Sequence, residues 1–281
     1  MTTQSKPKKN ESVESSTWMT FLAQSIDSIG TEHFTDRLIK ALNVLAGIDF
    51  AQAYAYHQNE RPVCLFHTFS PEKRVIYVDE YLKGPYLLDP FFKACTRKID
   101  TDLYRIRDIA PDRFYQSEYY RSYYNQTGLS DEICYTFYLE KGVAVVISLL
   151  RSGGSSSFSA REFRQLKSVV PVIVSLAKRH WHEVPNEFKD NSSVDQQMDS
   201  HTLIESKVST MFGQRLTPRE TQVAAQVLEG HSSEAIGKDL GISVGTVRIH
   251  RRNIYAKLRI SSQQELFAMF FENITSVGGQ I

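Results

Sequence analysis

Five Lys or Arg and no Asp or Glu fall between Ser243 and Arg259, in the run SVGTVRIHRRNIYAKLR. At about 100° per residue, Val247, Ile254 and Leu258 share one side of a helix, while Arg248, Arg252, Tyr255 and Arg259 share the other. One face is built to bury and the other to meet something negative. An Arg side chain grips both major-groove acceptors of guanine, and that groove admits one helix. Ser243 precedes the pattern as an N-cap, beside the small residues Val244, Gly245 and Thr246, so the first turn offers free N–H groups to an anion. The competing reading is a solvated basic helix.

Upstream, an Asp-Pro pair and a run of aromatic residues stand out. Tyr77, Tyr81 and Asp89 are spaced closely, and Asp89 is followed by Pro90, which by itself makes Asp89 a helix N-cap with proline at the first position. Phe114, Tyr115, Tyr119, Tyr120, Tyr123 and Tyr124 are crowded together, and Tyr115, Tyr119 and Tyr123 recur at steps of four. Such a stripe serves core or dimer packing, or lines a pocket suited to a planar or cationic ligand. Catalysis finds no frame: Cys134, His57 and His67 stand without a Gly-x-Ser-x-Gly, a His-Glu-x-x-His or a phosphate loop, so no enzyme and no cofactor is expected. Cys64, Cys95 and Cys134 are odd in number and widely spaced, which fits buried thiols in a reducing cytoplasm rather than disulfides or zinc.

The elements that must position these residues fall into two units. At 281 residues with 41% apolar content, the chain holds two domains, each with its own core. The net charge of +1 says nothing for nucleic acid; the concentration of cations in one helix does. No run of 18 apolar residues exists, so no membrane span is expected and the protein is placed in the cytoplasm. Residues 1–16 are polar and aperiodic and read as a disordered tail. Residues 17–183 follow as a sensory or dimerisation domain. Helices are expected over Thr17–Ser28 and Thr31–Leu45, and strands over Ala51–Tyr56, Val63–Phe69, Leu103–Ile106, Glu132–Tyr138 and Val143–Leu150. A helix is expected over Asp112–Gln126, and a long one from the capping box Ser159/Glu162 to Trp181. This order gives a sandwich of about five antiparallel strands with helices on both faces. Residues 184–208 read as a linker. Residues 209–275 hold four helices: one opened by Thr217, Pro218 and Glu220, a short second one capped by Ser232, the basic helix after a turn at Gly241, and a last one opened by Ser262 and Glu265.

The segment LTPRETQVAAQVLEGHSSEAIGKDLGISVGTVRIHRRNIYAKLRI resembles the DNA-binding domain of the LuxR family of bacterial transcription regulators. It matches at Leu216, Thr217, Arg219, Glu220, Gly230, Ser232, Ile236, Leu240, Ile242, Ser243, Thr246, Val247, His250, Asn253, Ile254, Lys257 and Leu258. It departs at Ala235, where the family usually has Glu, and at Gly237, where it usually has Ala. The resemblance completes an α+β protein of two domains: the N-terminal α/β/α sandwich read from the order of elements, of the kind seen in GAF and PAS-like sensors, and a C-terminal four-helix LuxR-type helix-turn-helix. It implies that Arg248, Ile249 and Arg252 face base edges. Thr246, Lys257 and helix N-termini such as that at Ser232 would meet phosphates, and Val244 and His250 would complete the DNA-binding set.

In the family's quorum-sensing receptors a Trp-x-x-x-Tyr element precedes an Asp-Pro whose Asp holds the amide of an acyl-homoserine lactone. Here Tyr77 stands for the Trp, Tyr81 for the Tyr, and Asp89 lies one residue nearer than usual. The pocket so implied takes in Tyr54, Phe66, Tyr77, Tyr81, Asp89 and Tyr119. Expected partners are double-stranded DNA with an inverted-repeat operator, a second copy of the chain (through Gln264 and Phe267 of the last helix), RNA polymerase, and a small-molecule effector. The alternative is a constitutive regulator whose N-terminal domain only dimerises or docks a protein partner.

Overall fold

The computed structural model describes residues 9–58, 60–122, 124–188 and 200–277. Five strands, β1 (Phe50–Tyr56), β2 (Val63–His67), β3 (Asp102–Arg105), β4 (Leu129–Tyr138) and β5 (Ala144–Ser152), form one antiparallel sheet in the order β2-β1-β5-β4-β3. Side chains alternate between its faces. Ala51, Ala53 and Ala55 of β1 join Ile133, Tyr135 and Phe137 of β4 and Val145, Ile147 and Leu149 of β5 on one face. That face is covered by α1 (Lys9–Asp27), α2 (Phe34–Leu45), α7 (Ala160–Ser168) and α8 (Val170–His180), through Leu22, Phe34, Leu38, Leu42, Leu166 and Ile173. Tyr54, Tyr56, Cys134, Val146 and Leu150 point to the other face, under the π-helical turn Val75–Glu80 that follows α3 (Pro71–Arg74) and under α4 (Pro90–Thr96), α5 (Ile106–Ile109) and α6 (Glu118–Ser122). Because both faces are covered, β5 is buried along nearly its whole length.

Several expected elements change on folding. The first helix begins at Lys9, inside the segment expected to be a tail. The long helix from Ser159 breaks at Val169, because Pro171 enters the first turn of α8 without an N–H to donate. The aromatic stretch is not one helix but a 3₁₀ turn at Phe114–Gln116, α6, and a second 3₁₀ turn at Tyr124–Thr127. Ser117 interrupts it: its hydroxyl donates to the Phe114 carbonyl at 2.7 Å and accepts from the Tyr120 N–H at 3.1 Å, diverting the backbone from a continuous ladder. Tyr123, expected on that helix face, lies outside the described residues.

The expected linker is structured at both ends. Val184, Pro185 and Phe188 are buried against the sandwich, with Phe188 beside His57, and α9 (Ser200–Phe212) begins well before residue 208. Beyond it, α10 (Pro218–Glu229), α11 (Ser233–Leu240), α12 (Val244–Leu258) and α13 (Gln263–Val277) form the C-terminal unit, with Val223, Val227, Ile236, Val247, Ile254, Leu258, Leu266 and Phe270 in its core. That core is continuous with the one beneath α4–α6. Gly84 faces α13 so closely that a Cβ there would stand 2.7 Å from Ile274 Cγ2. Among the described residues, no helix is long and apolar enough to cross a membrane.

Candidate nucleic-acid interface and the buried tyrosine cluster

The C-terminal helices are capped by their own sequence. Thr217 and Glu220 close a capping box at α10. Ser232 accepts from Ala235 N at 3.0 Å, and Ser243 accepts from Thr246 N at 3.0 Å. Gly241, at φ 67°, makes the left-handed turn between α11 and α12. These caps fix the rotation of α12, with Val247, Ile254 and Leu258 inward and Arg248, Ile249 and Arg252 exposed. Ile249 is 49% exposed, an apolar side chain held in water on a basic face, where it can meet a thymine methyl.

The remaining residues of the expected DNA-binding set are placed differently. Val244 is half-buried, and the Thr246 hydroxyl lies 2.8 Å from that of its cap, Ser243. His250 is half-buried with its Nδ1 enclosed and, among the described residues, without a hydrogen-bond partner. Lys257 turns toward α10 and donates to Glu220 Oε2 at 2.6 Å. Burial would raise the Glu220 carboxyl, but the bonds from Lys257 and Thr217 outweigh it and hold it below the usual range. The positive charge of Lys257 is therefore engaged within the chain. Ser232 is buried, and its backbone N–H donates to Asp112 Oδ1 of the N-terminal domain at 3.0 Å. Arg251, absent from the expected set, faces Ser233, Tyr255 and Gln263 at 3.2–3.4 Å. Its position in the basic run was visible, its orientation between α11 and α13 was not. Of the expected dimer residues, Gln264 is exposed, whereas Phe267 is buried in its own chain and stacks on Phe271.

In the sandwich, Tyr54, Tyr56, Tyr77, Tyr81, Asp89 and Tyr119 all lie under the sheet face that meets α4–α6. The Tyr81 hydroxyl donates to Asp89 Oδ2 at 2.8 Å and lies 2.9 Å from the Tyr56 hydroxyl, while the Tyr54 hydroxyl donates to the Tyr77 carbonyl at 3.1 Å. Asp89 Oδ1 accepts from Phe91 N at 2.7 Å, so one carboxylate both caps α4 and joins the tyrosines. Burial raises the Asp89 carboxyl above its ordinary range despite these bonds. Phe66 does not belong to this group. A bulge pairs Tyr54 with Cys64 but Ala53 with Phe66, so the extra residue turns Phe66 to the opposite face of the sheet.

Deeper in the same layer, Glu132 accepts from the Tyr124 hydroxyl at 3.2 Å and lies 3.4 Å from Cys134 Sγ, which is itself 3.1 Å from the Ser148 hydroxyl. Burial, and then the charge of Asp89, push the Glu132 carboxyl up to about 7. Burial beside Glu132 keeps Cys134 a protonated thiol, a poor nucleophile. Glu132 went unsingled in the sequence, because a carboxylate next to a strand start carries no signal of burial.

A capped helix-turn-helix presenting an arginine face, joined to a sandwich with a buried polar cluster, defines a DNA-binding transcription regulator with a separate N-terminal domain. The comparisons with known proteins agree. A family profile described as "Bacterial regulatory proteins, luxR family" matches residues 214–270. A putative HTH-type transcriptional regulator in the exeN 3′ region of Aeromonas salmonicida is 30% identical over 194 residues, 69% of this chain and 98% of that protein. The monoamine regulon transcriptional regulator of Klebsiella aerogenes is 24% identical over 82% of this chain and 87% of its own length. The crystal structure of the VqsR LBD domain from Pseudomonas aeruginosa superposes with a TM-score of 0.52 at 24% identity, covering 59% of this chain and 96% of that one, which shows the fold of the sandwich. The chain belongs to the LuxR family of bacterial regulatory proteins.

Proposed function

We propose that the protein binds an inverted-repeat operator as a homodimer, with Arg248, Ile249 and Arg252 of α12 against base edges, and that a small molecule bound at Asp89 controls it, acting with RNA polymerase in the cytoplasm. The observation that carries the ligand reading is the polar chain Tyr56–Tyr81–Asp89 buried between the sheet and α4–α6. Burying such groups is costly unless each is satisfied, and here one hydroxyl, that of Tyr81, closes the outer lobe of Asp89. A ligand carrying an N–H or O–H donor can displace it without leaving the carboxylate unpaired. Quorum-type signals and other small donors both meet this requirement.

A second reading rests on the ring packing. Tyr54 and Tyr81 have centroids 4.9 Å apart, and Tyr56 and Phe92 5.4 Å, so the side chains fill this layer against one another. On that reading the domain only dimerises or docks a protein partner. Native purification followed by mass spectrometry of co-purified small molecules separates the two. A stoichiometric compound that is lost from Asp89→Ala supports sensing; none in either protein, with regulation intact, supports the second reading.

A further inference from the structure

Arg113 belongs to the N-terminal domain, yet it lines a cleft of about 630 Å³ that it shares with Arg248, Arg251, Arg252 and Tyr255 of α12 and with Glu234 of α11. It is held there by its backbone. The Arg113 N–H donates to the Gly230 carbonyl at 3.2 Å, the next residue, Phe114, is fully buried, and the preceding one, Asp112, accepts the Ser232 N–H at the start of α11. Gly230 permits this approach, since a Cβ there would stand 3.0 Å from Ser117 Cβ.

The cleft gathers four guanidinium groups and one carboxylate. Arg251 is met by the neutral groups of Ser233, Tyr255 and Gln263, and Arg248 reaches Glu234 only at 3.9 Å with both side chains in water, a pairing worth little. Asp112, the carboxylate nearest Arg113 in the chain, already accepts from Ser232, and Arg113 makes no ion pair among the described residues. Four like charges around one concavity repel each other unless an anion lies between them. The anion that α12 meets in a duplex is the phosphate backbone bordering the major groove, which runs past the N-terminus of the preceding helix. We infer that Arg113 is a phosphate contact contributed by the N-terminal domain, so that the docked sandwich forms part of the DNA-binding surface. Because contact requires docking, DNA favours the docked arrangement and the docked arrangement favours DNA by the same factor.

The inference rests on the assignment of α12 to the groove, and the test separates the two. Full-length protein is titrated, over a range of salt, with a labelled duplex selected from a random library by the wild-type protein and with a mixed-sequence duplex. Arg113→Gln should weaken both by about tenfold at low salt and reduce the slope of log affinity against log salt by about one. Arg113→Lys should keep the slope, since a lysine still offers a point charge to phosphate. Arg252→Gln should instead erode the preference for the selected duplex. An unchanged slope in Arg113→Gln with a lost preference in Arg252→Gln overturns the role of Arg113 and leaves α12 in the groove. An equal loss in Arg113→Lys overturns it in favour of a packing role. No effect of either Gln variant overturns the groove assignment and the Arg113 role together.

Discussion

Breaking the ion pair between Lys93 and Glu229 should open the molecule rather than unfold it. Lys93 Nζ lies 3.1 Å from Glu229 Oε2, with the two side chains 7% and 1% exposed, and Lys93 is on α4 of the sandwich whereas Glu229 ends α10 of the DNA-binding unit. At an effective dielectric of about 20 the attraction is roughly 5 kcal/mol, and much of that is offset by taking both charges out of water. Glu229→Gln keeps the shape but removes the carboxylate that Lys93 meets across the interface, a loss of about 3–5 kcal/mol if the interface stays shut. The chain has an easier escape, because separating the domains returns Lys93 to water, so the loss is capped at the free energy of docking. Two amides report the opening: Arg113 N–H, bonded to Gly230, and Ser232 N–H, bonded to Asp112. A docking loss of about 3 kcal/mol corresponds to a fall of roughly a hundredfold in their hydrogen-exchange protection, with amides of β4 and β5 unaffected. Scattering should show a larger radius of gyration. Lys93→Met combined with Glu229→Leu removes both charges and should close the interface again. Unchanged protection in Glu229→Gln, or a double variant as open as the single one, refutes the reasoning.

Two further outcomes follow from the charges already described. Glu132 titrates at about 7 in the fold against an ordinary 4.5, so the folded state binds the proton more tightly; its contribution is whole below about 4.5 and is lost as pH rises to about 7. Glu132→Gln should remove that decline, about 3 kcal/mol between the two ends, in denaturant unfolding of wild type and variant side by side, and parallel pH curves would count against it. Because Lys257 is engaged by the buried Glu220, Lys257→Ala should lower the melting temperature clearly more than Arg252→Ala does, while Arg252→Ala costs about 1–3 kcal/mol of DNA affinity; the reverse ranking in a melting experiment would show that Lys257 is free for phosphate.

The DNA-binding unit was legible because its boundaries are written locally: Thr217, Ser232 and Ser243 cap, Gly230 and Gly241 turn, and each signal spans a few residues. The sheet was legible because β1 alternates small and large residues, FAQAYAY, and β5 is an apolar run that follows a turn, AVVISLLRS. Phe66 was misplaced because one bulged residue reverses the face of everything beyond it, and nothing in the run VCLFH marks the bulge. The break at Val169 had its cause in plain view, Pro171, but an apolar period running through a proline reads as one helix. Lys93 and Glu229 could not be paired from sequence at all. They are separated by about half of the chain, and only the docking of one finished domain on another brings them together.

Helix α4 is a strut of seven residues, about 10 Å long. Its upper end is pinned by Asp89 to the tyrosines of one domain, and Lys93, a single turn below, is pinned to Glu229 of the other. A rod this short does not bend, so its two fastenings share one set of coordinates: a tilt or a rotation imposed at Asp89 reaches Lys93 undiminished. Two grips on one handle cannot be adjusted independently, and whatever loosens the first must be compatible with the second or release it.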